Sequence, residues 1–96
     1  MKKLSFNILF NIVNKKPSLK EVKGYQIDSV AAVYRESPYW YVVEFASGTC
    51  ICKGKTKQEA LDNYEKIETK EKIKNAHKTN VYKHLKNIFE EMKGQN

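Results

Sequence analysis

Residues 39–61 read YWYVVEFASGTCICKGKTKQEAL, and the way this stretch folds decides the rest of the chain. Tyr39 to Ala46 are rich in aromatic and β-branched residues, which suit a half-buried pleated strand. Ser47-Gly48 has the composition of a two-residue hairpin turn, and Thr49 to Gly54 form a return strand. Such a turn sets Ala46 opposite Thr49 and Glu44 opposite Ile51. Tyr41, Val43, Phe45, Cys50 and Cys52 then share the face expected to be core. Trp40, Val42, Glu44, Thr49, Ile51, Lys53 and Lys55 share the other. Thr56-Lys57-Gln58-Glu59 is a capping box, in which the Thr hydroxyl and the Glu side chain satisfy free N–H groups at a helix start. Ala60, Leu61, Tyr64 and Ile67 give that helix an apolar stripe.

Upstream, Leu4, Phe6, Ile8, Phe10 and Ile12 alternate as a strand would, while Lys3, Asn7, Asn11 and Asn14 also fall at helical spacing. Enrichment in Phe, Ile and Val favours a strand over 4–13. NKKPSLKEVKG (14–24) reads as a connection, with Ser18 and Glu21 able to cap one helical turn. YQIDSVAAVYR (25–35) reads as a strand and ESP (36–38) as a turn. Downstream, ETKEKIKNAHKTN (68–80) is charged and solvated. Helical spacing returns at Val81, Leu85, Ile88, Phe89 and Met92, in one long helix or two hinged near Asn75–Asn80.

The fold class expected is α+β: one domain over 1–96, with strands and turns over 1–55 and helices over 56–93. A three- or four-stranded antiparallel sheet carries the 56–70 helix on one face, followed by a further helix or helical arm. Tyr41, Val43, Phe45, Leu61, Tyr64 and Ile67 are its expected core. A chain of 96 residues can bury a modest core without staples.

Composition narrows the chemistry. The net charge is +7 and the pI about 9.4, which suits a polyanionic partner. Seventeen Lys accompany a single arginine, Arg35. Lysine offers a point charge to phosphate, whereas bidentate reading of guanine is an arginine task, so sequence-specific base readout is disfavoured. Abundant Lys, Asn and Ile fit an AT-rich genome such as that of a low-GC bacterium or a phage. Cys50 and Cys52 project from one strand face about 7 Å apart, too far for an easy disulfide, and read as reduced thiols of a cytoplasmic protein. The opening MKKLSFNILFNIVNKKP imitates a signal peptide, but Asn7 and Asn11 interrupt its apolar part and no small-x-small site follows. No stretch is long enough to span a membrane.

Metal and catalytic sites find little support. Cys50, Cys52, His77 and His84 could ligate zinc, but Cys-x-Cys on a strand does not match a knuckle. Histidines seven apart on a helix stand about 10 Å apart along its axis. No carboxylate pair, Gly-rich phosphate loop or nucleophile elbow occurs. Neither a cofactor nor an enzymatic activity is expected, although a small basic ribonuclease using His77 or His84 with Lys and Tyr would need no motif. The basic surface is the more visible feature. Lys66, Lys70, Lys74 and Lys78 recur every fourth residue, and Asp62–Lys66 and Glu68–Lys72 stand in the order that stabilises a solvated helix. Lys53, Lys55 and Lys57 lie just before that helix, on the side of Trp40. Lysines on phosphates beside an aromatic that stacks on a base suit single-stranded or shape-based binding.

The same stretch resembles the arm-type DNA-binding domain of phage and transposon tyrosine integrases, a three-stranded sheet followed by a helix opening with Thr-Lys-x-Glu-Ala, here Thr56, Lys57, Glu59 and Ala60. The resemblance implies that Trp40, Val42, Thr49, Lys53 and Lys55 face DNA, although TCICKG is poorer in Lys and Arg than that family's third strand. The hairpin and helix are also similar to the HicB-type antitoxin domain, with Ser47-Gly48 where that family has Pro-Gly. KGKTKQEAL resembles the strand-to-helix junction of double-stranded RNA-binding domains, which would give Lys55 and Lys57 phosphate contacts. Each likeness spans about a quarter of the chain.

The function expected is that of a small nucleic-acid-binding accessory protein of a phage or mobile element, without strong sequence specificity. Its site residues would be Trp40, Lys53, Lys55, Lys57, Lys66, Lys70 and Lys74. The alternative is a protein-binding inhibitor or antitoxin acting on a host nuclease or defence system, in the manner of an anti-CRISPR protein. Val81, Leu85, Ile88 and Met92 would then serve as an interface, which could equally join two copies as a homodimer.

Overall fold

The computed structural model describes residues 1–10 and 17–94. Among these residues five strands precede three helices: β1 Lys3–Phe10, β2 Ser18–Gln26, β3 Ala31–Glu36, β4 Tyr39–Glu44, β5 Cys50–Gly54, α1 Lys57–Glu65, α2 Ile67–Ala76 and α3 Asn80–Gly94. The strands form one antiparallel sheet in chain order, β1-β2-β3-β4-β5. The architecture is α+β, with one strand more than the upper expectation. Ile12 and Val13, read as the end of the first strand, lie outside the described residues, as does the side chain of Ile67.

The extra strand is β2. Residues 18–24 are not a connection with a helical turn; they pair with β1 over its whole length, from Phe10↔Ser18 to Lys3↔Tyr25. Lys20, Glu21 and Lys23 are exposed there, so the segment has little apolar alternation of its own and its partner makes it a strand. The expected 25–35 strand is divided as well. Asp28 turns the chain by accepting from the N–H groups of Val30 (2.8 Å) and Ala31 (2.9 Å) through one oxygen. A short Asp side chain substitutes for backbone partners in this way at turns.

The β4–β5 hairpin departs furthest from the expected register. Its connection is not the two residues Ser47-Gly48 but Phe45 to Thr49, between strands ending at Glu44 and starting at Cys50. Val43 pairs with Cys50 and Val42 with Cys52, leaving Ile51 as an extra residue. A bulge of this kind changes which way the following side chains point. Ile51 and Cys52 both pack toward the helices, together with Tyr25, Ala31, Val33, Trp40 and Val42. Tyr41 and Val43 lie on the opposite face with Phe6, Ile8, Val22 and Tyr34. The helix therefore covers the Trp40/Val42 face, the reverse of the expectation. Of the expected core, Val43 and Tyr64 are buried, while Tyr41, Phe45 and Leu61 are half-buried.

The helices gather on that one face. Thr56 caps α1 as its capping box predicts, accepting from Glu59 N at 3.0 Å. Ala60 and Tyr64 then enter the core over Val33 and Val42. The helical region breaks twice rather than once. Lys66 is extended (φ −63°, ψ 141°), separating α1 from α2. His77 to Thr79 separate α2 from α3, within the expected hinge. Thr79 restarts the chain by accepting from Tyr82 N at 3.1 Å.

α3 docks on its own chain through Phe89, which is 2% exposed. Its ring lies on Gly48, the one glycine at positive φ (67°), where a Cβ would run into it. Gly48 also accepts from Leu9 N at 2.8 Å, so this loop joins β1, β4 and α3. Phe89→Ala should therefore cost about 3–5 kcal/mol in urea unfolding. Phe45→Ala, at a half-buried ring, should cost clearly less. The reverse ranking would refute this account of how α3 is held.

Candidate nucleic-acid interface

α1 covers only part of the sheet face it packs on. Towards β1 and β2, that face presents Lys3, Ser5, Lys23 and Tyr25, since Lys3 pairs with Tyr25 and Ser5 with Lys23. These four side chains, with Leu4 and Gly24, line a shallow cleft of about 470 Å³. Tyr25 and Trp40 are both half-buried and both pack against the margin of the core beneath α1. Arg35 pairs with Trp40 on the same face, and carrying the β2–β3 register one step further sets Lys23 alongside Arg35.

Lys57, in the first turn of α1, holds its Nζ 3.8 Å from the centre of the Tyr25 ring. A cation over a tyrosine face is attracted by the ring quadrupole. This part of the molecule thus offers two partly accessible aromatic rings among Lys3, Lys23, Arg35 and Lys57. Such a surface can stack bases while neutralising phosphates.

The residues singled out from sequence divide between surfaces. Trp40 and Lys57 belong to the helix-side face. Lys53 does not: it pairs with Tyr41, so it projects from the opposite face, with its Nζ 4.4 Å from the Tyr39 ring. The bulge at Ile51 is the cause, because it shifts Lys53 out of step with Trp40. Lys55 is exposed in the connection before α1. Lys66, Lys70 and Lys74 are exposed, but the break at Lys66 interrupts the expected ridge and Lys78 falls in the turn after α2. Lys70 lies 3.6 Å from the Tyr64 ring centre. Neither Asp62–Lys66 nor Glu68–Lys72 is an ion pair among the described residues; Asp62 accepts from Gln58 at 2.9 Å instead. Nothing local in the sequence groups Lys3, Lys23, Tyr25 and Arg35; the β1–β2 and β2–β3 pairings bring them together.

A second concave feature lies between the β4–β5 loop and the helices. It is a cavity of about 500 Å³ whose walls include Ile51, Ile73, Val81 and Leu85, with Glu44, His77 and Tyr82 at its polar end. Glu44 is 3% exposed. His77 Nε2 lies 2.6 Å from one carboxylate oxygen, and the Tyr82 hydroxyl donates to the other. Burial alone would raise the Glu44 carboxyl, but the hydrogen bonds from Tyr82, His77 and Ser47 hold it below its ordinary value of 4.5. Burial and the Glu44 contact push the Tyr82 hydroxyl up to about 12. Both carboxylate oxygens are occupied by groups of the protein, so the arrangement reads first as a clasp between sheet and helices.

Cys50 and Cys52 are free thiols, and burial pushes Cys52 up to about 11, which leaves it protonated. Among the described residues, no group of three or more His, Cys, Asp or Glu is placed to hold a metal, and no helix is long and apolar enough to cross a membrane.

Compared with known families, with curated proteins and with solved structures, the chain has no significant match. The likenesses to integrase arm domains, HicB-type antitoxins and double-stranded RNA-binding domains therefore remain resemblances of one stretch of sequence.

Glu44 carries a pH prediction. Its folded carboxyl titrates below the unfolded one, so the unfolded state binds the proton first as pH falls. The stability it contributes is complete above about pH 4.5 and is lost as pH drops through the lower folded value. The melting temperature should fall over that acid range, and Glu44→Gln should flatten the dependence while lowering stability at neutral pH. An equally steep acid limb in Glu44→Gln would assign the titration elsewhere.

Proposed function

We propose that this chain is a small nucleic-acid-binding accessory protein that holds the phosphate backbone without strong sequence preference. We place binding on the partly uncovered sheet face around Tyr25 and Trp40. The observation that carries the reading is the convergence of those rings with Lys3, Lys23, Arg35 and Lys57. The net charge of +7 favours the encounter. Arg35 is the one arginine that could read guanine bidentately, which supports low selectivity. The origin in a phage or mobile element rests on composition and on the integrase likeness.

The rival reading, an inhibitor or antitoxin that binds a host protein, is favoured by Val81. It is 70% exposed at the mouth of the Glu44 cavity, beside Leu85. Leu85, Ile88 and Met92 are half-buried on the helix that Phe89 anchors, which leaves Val81 as the exposed member of that stripe.

Salt separates the two. Single-stranded nucleic acid should quench the lone tryptophan, and log affinity should fall linearly with log salt. Lys3→Ala with Lys23→Ala should reduce that slope by about 0.7 for each lysine that meets a phosphate. Tyr25→Ala should weaken binding at every salt concentration, since stacking contributes about 1–3 kcal/mol per base. Oligonucleotides of equal length and different sequence should bind within a few-fold of one another. No quenching and no mobility shift at low salt would end this reading, and the protein-partner reading would replace it.

A further inference from the structure

The two edges of the sheet are finished differently. At β5 the strand is short, α1 packs against it, and the Asn63 side chain donates to the Lys53 carbonyl at 2.9 Å. The β1 edge is eight residues long and carries neither a proline nor a bulge. Its hydrogen-bonding phase is set by two bonds. Gln26 N donates to Lys2 O, so the even-numbered residues of β1 bond to β2. Leu9 N donates to Gly48 O, so the odd-numbered residues point away from β2. The Gly48 loop thus covers the edge at Leu9. Among the described residues, nothing pairs with the outward N–H and C=O groups of Lys3, Ser5 and Asn7. An open row of this kind is a template for another strand.

We propose that the occupant is a second copy of this chain, paired β1 to β1 antiparallel about a two-fold axis at Ser5. Pairing about Ser5 sets Ser5 opposite Ser5 and Lys3 opposite Asn7 on both sides of the axis. Each of these is a hydrogen-bonded pair exchanging two bonds, so every outward group of the three residues is used. A shift by two residues in either direction leaves an outward group unpaired or runs into Leu9, which Gly48 already occupies.

Side chains agree with this register. No two like charges face each other, because Lys3 meets Asn7. On the face away from the helices, Leu4 meets Phe6 of the other copy at a closely spaced non-hydrogen-bonded position. Both side chains are half-buried in the single chain and would gain cover. The self-complementary patch is what an isologous two-fold interface requires. The result is one ten-stranded sheet, built from five strands in each chain, with the two Lys3/Lys23/Tyr25 clefts side by side across the axis. The dimer does not depend on nucleic acid. If both hold, it would double the length of backbone that one assembly can track.

Sedimentation of the full chain over a concentration series tests this. The expected result is a species of twice the 11.2 kDa chain mass. It should tighten as salt rises, since salt screens the repulsion of two chains at +7 each. That is the opposite trend to phosphate binding, so one reading can fail without the other. Ser5→Pro removes an N–H that β2 does not use and should give the single-chain mass with circular dichroism unchanged; Ser5→Ala should stay dimeric. Should Ser5→Pro fail to fold, Ser5→Cys in a Cys50→Ser background decides. Directly opposed residues at about 5.5 Å lie within disulfide range, and mild oxidation should link two chains. A wild type that stays at single-chain mass at all concentrations and salts overturns the proposal. So does a dimer that Ser5→Pro leaves intact and Ser5→Cys fails to cross-link.

Discussion

Glu44 is the residue on which the arrangement of sheet, loop and helices depends. A buried carboxylate costs several kcal/mol unless charge-assisted hydrogen bonds replace its water. Here those bonds come from His77, where the α2–α3 turn begins, and Tyr82, in the first turn of α3. The Glu44 backbone bonds the other way, its N–H to Thr49 O and its C=O to Gly48 N. One residue thus closes the β4–β5 loop and fixes where the third helix begins. Asp28 does the same on a smaller scale, turning β2 into β3 while accepting from the Tyr64 hydroxyl of α1 at 2.8 Å. Burial would raise the Asp28 carboxyl, yet its hydrogen bonds to Val30, Tyr64 and Ala31 and the charge of Lys70 bring it below its ordinary value. In each case a carboxylate on the sheet side meets a tyrosine on the helix side.

Much of this was legible in the sequence where local and global preferences agree. Alternation over Tyr39 to Glu44, the Thr56 cap and the spacing from Val81 to Met92 all lie where the structure has a strand, a helix start and a helix. β2 was not legible because Lys20, Glu21 and Lys23 carry no strand pattern; the long register with β1 makes it a strand. The bulge at Ile51 was not legible either, since a tight Ser-Gly turn and a five-residue loop around a positive-φ glycine draw on the same residue types. That one extra residue put Cys52 on the helix-covered face and moved Lys53 away from Trp40. Glu44 looked like a solvent-facing charge because the two donors that make its burial tolerable lie more than thirty residues later.

The candidate site was legible to about the same depth. Trp40 and Lys57 could be found, because an aromatic beside a lysine at a helix start stands out locally. Lys3, Lys23, Tyr25 and Arg35 could not, because three strands must pair before they share a face. The spacing of Lys66, Lys70 and Lys74 is the more visible basic pattern, but it needs a continuous helix that the extended backbone at Lys66 interrupts.

The position of Lys57 over Tyr25 bears on how the proposed surface would work. A lysine resting on an exposed tyrosine gains about 0.5–1 kcal/mol. A base stacked on the same ring gains about 1–3 kcal/mol. Stacking should therefore displace the ammonium rather than be blocked by it, and the freed lysine would reach the phosphate of the base that displaced it. The ring keeps the charge at the site before binding, so less side-chain freedom is lost when the contact forms. Arginine would resist such displacement more strongly, because its planar guanidinium also stacks on aromatic faces. In this reading the lysine-rich composition fits a surface on which the ligand itself uncovers the Tyr25 ring.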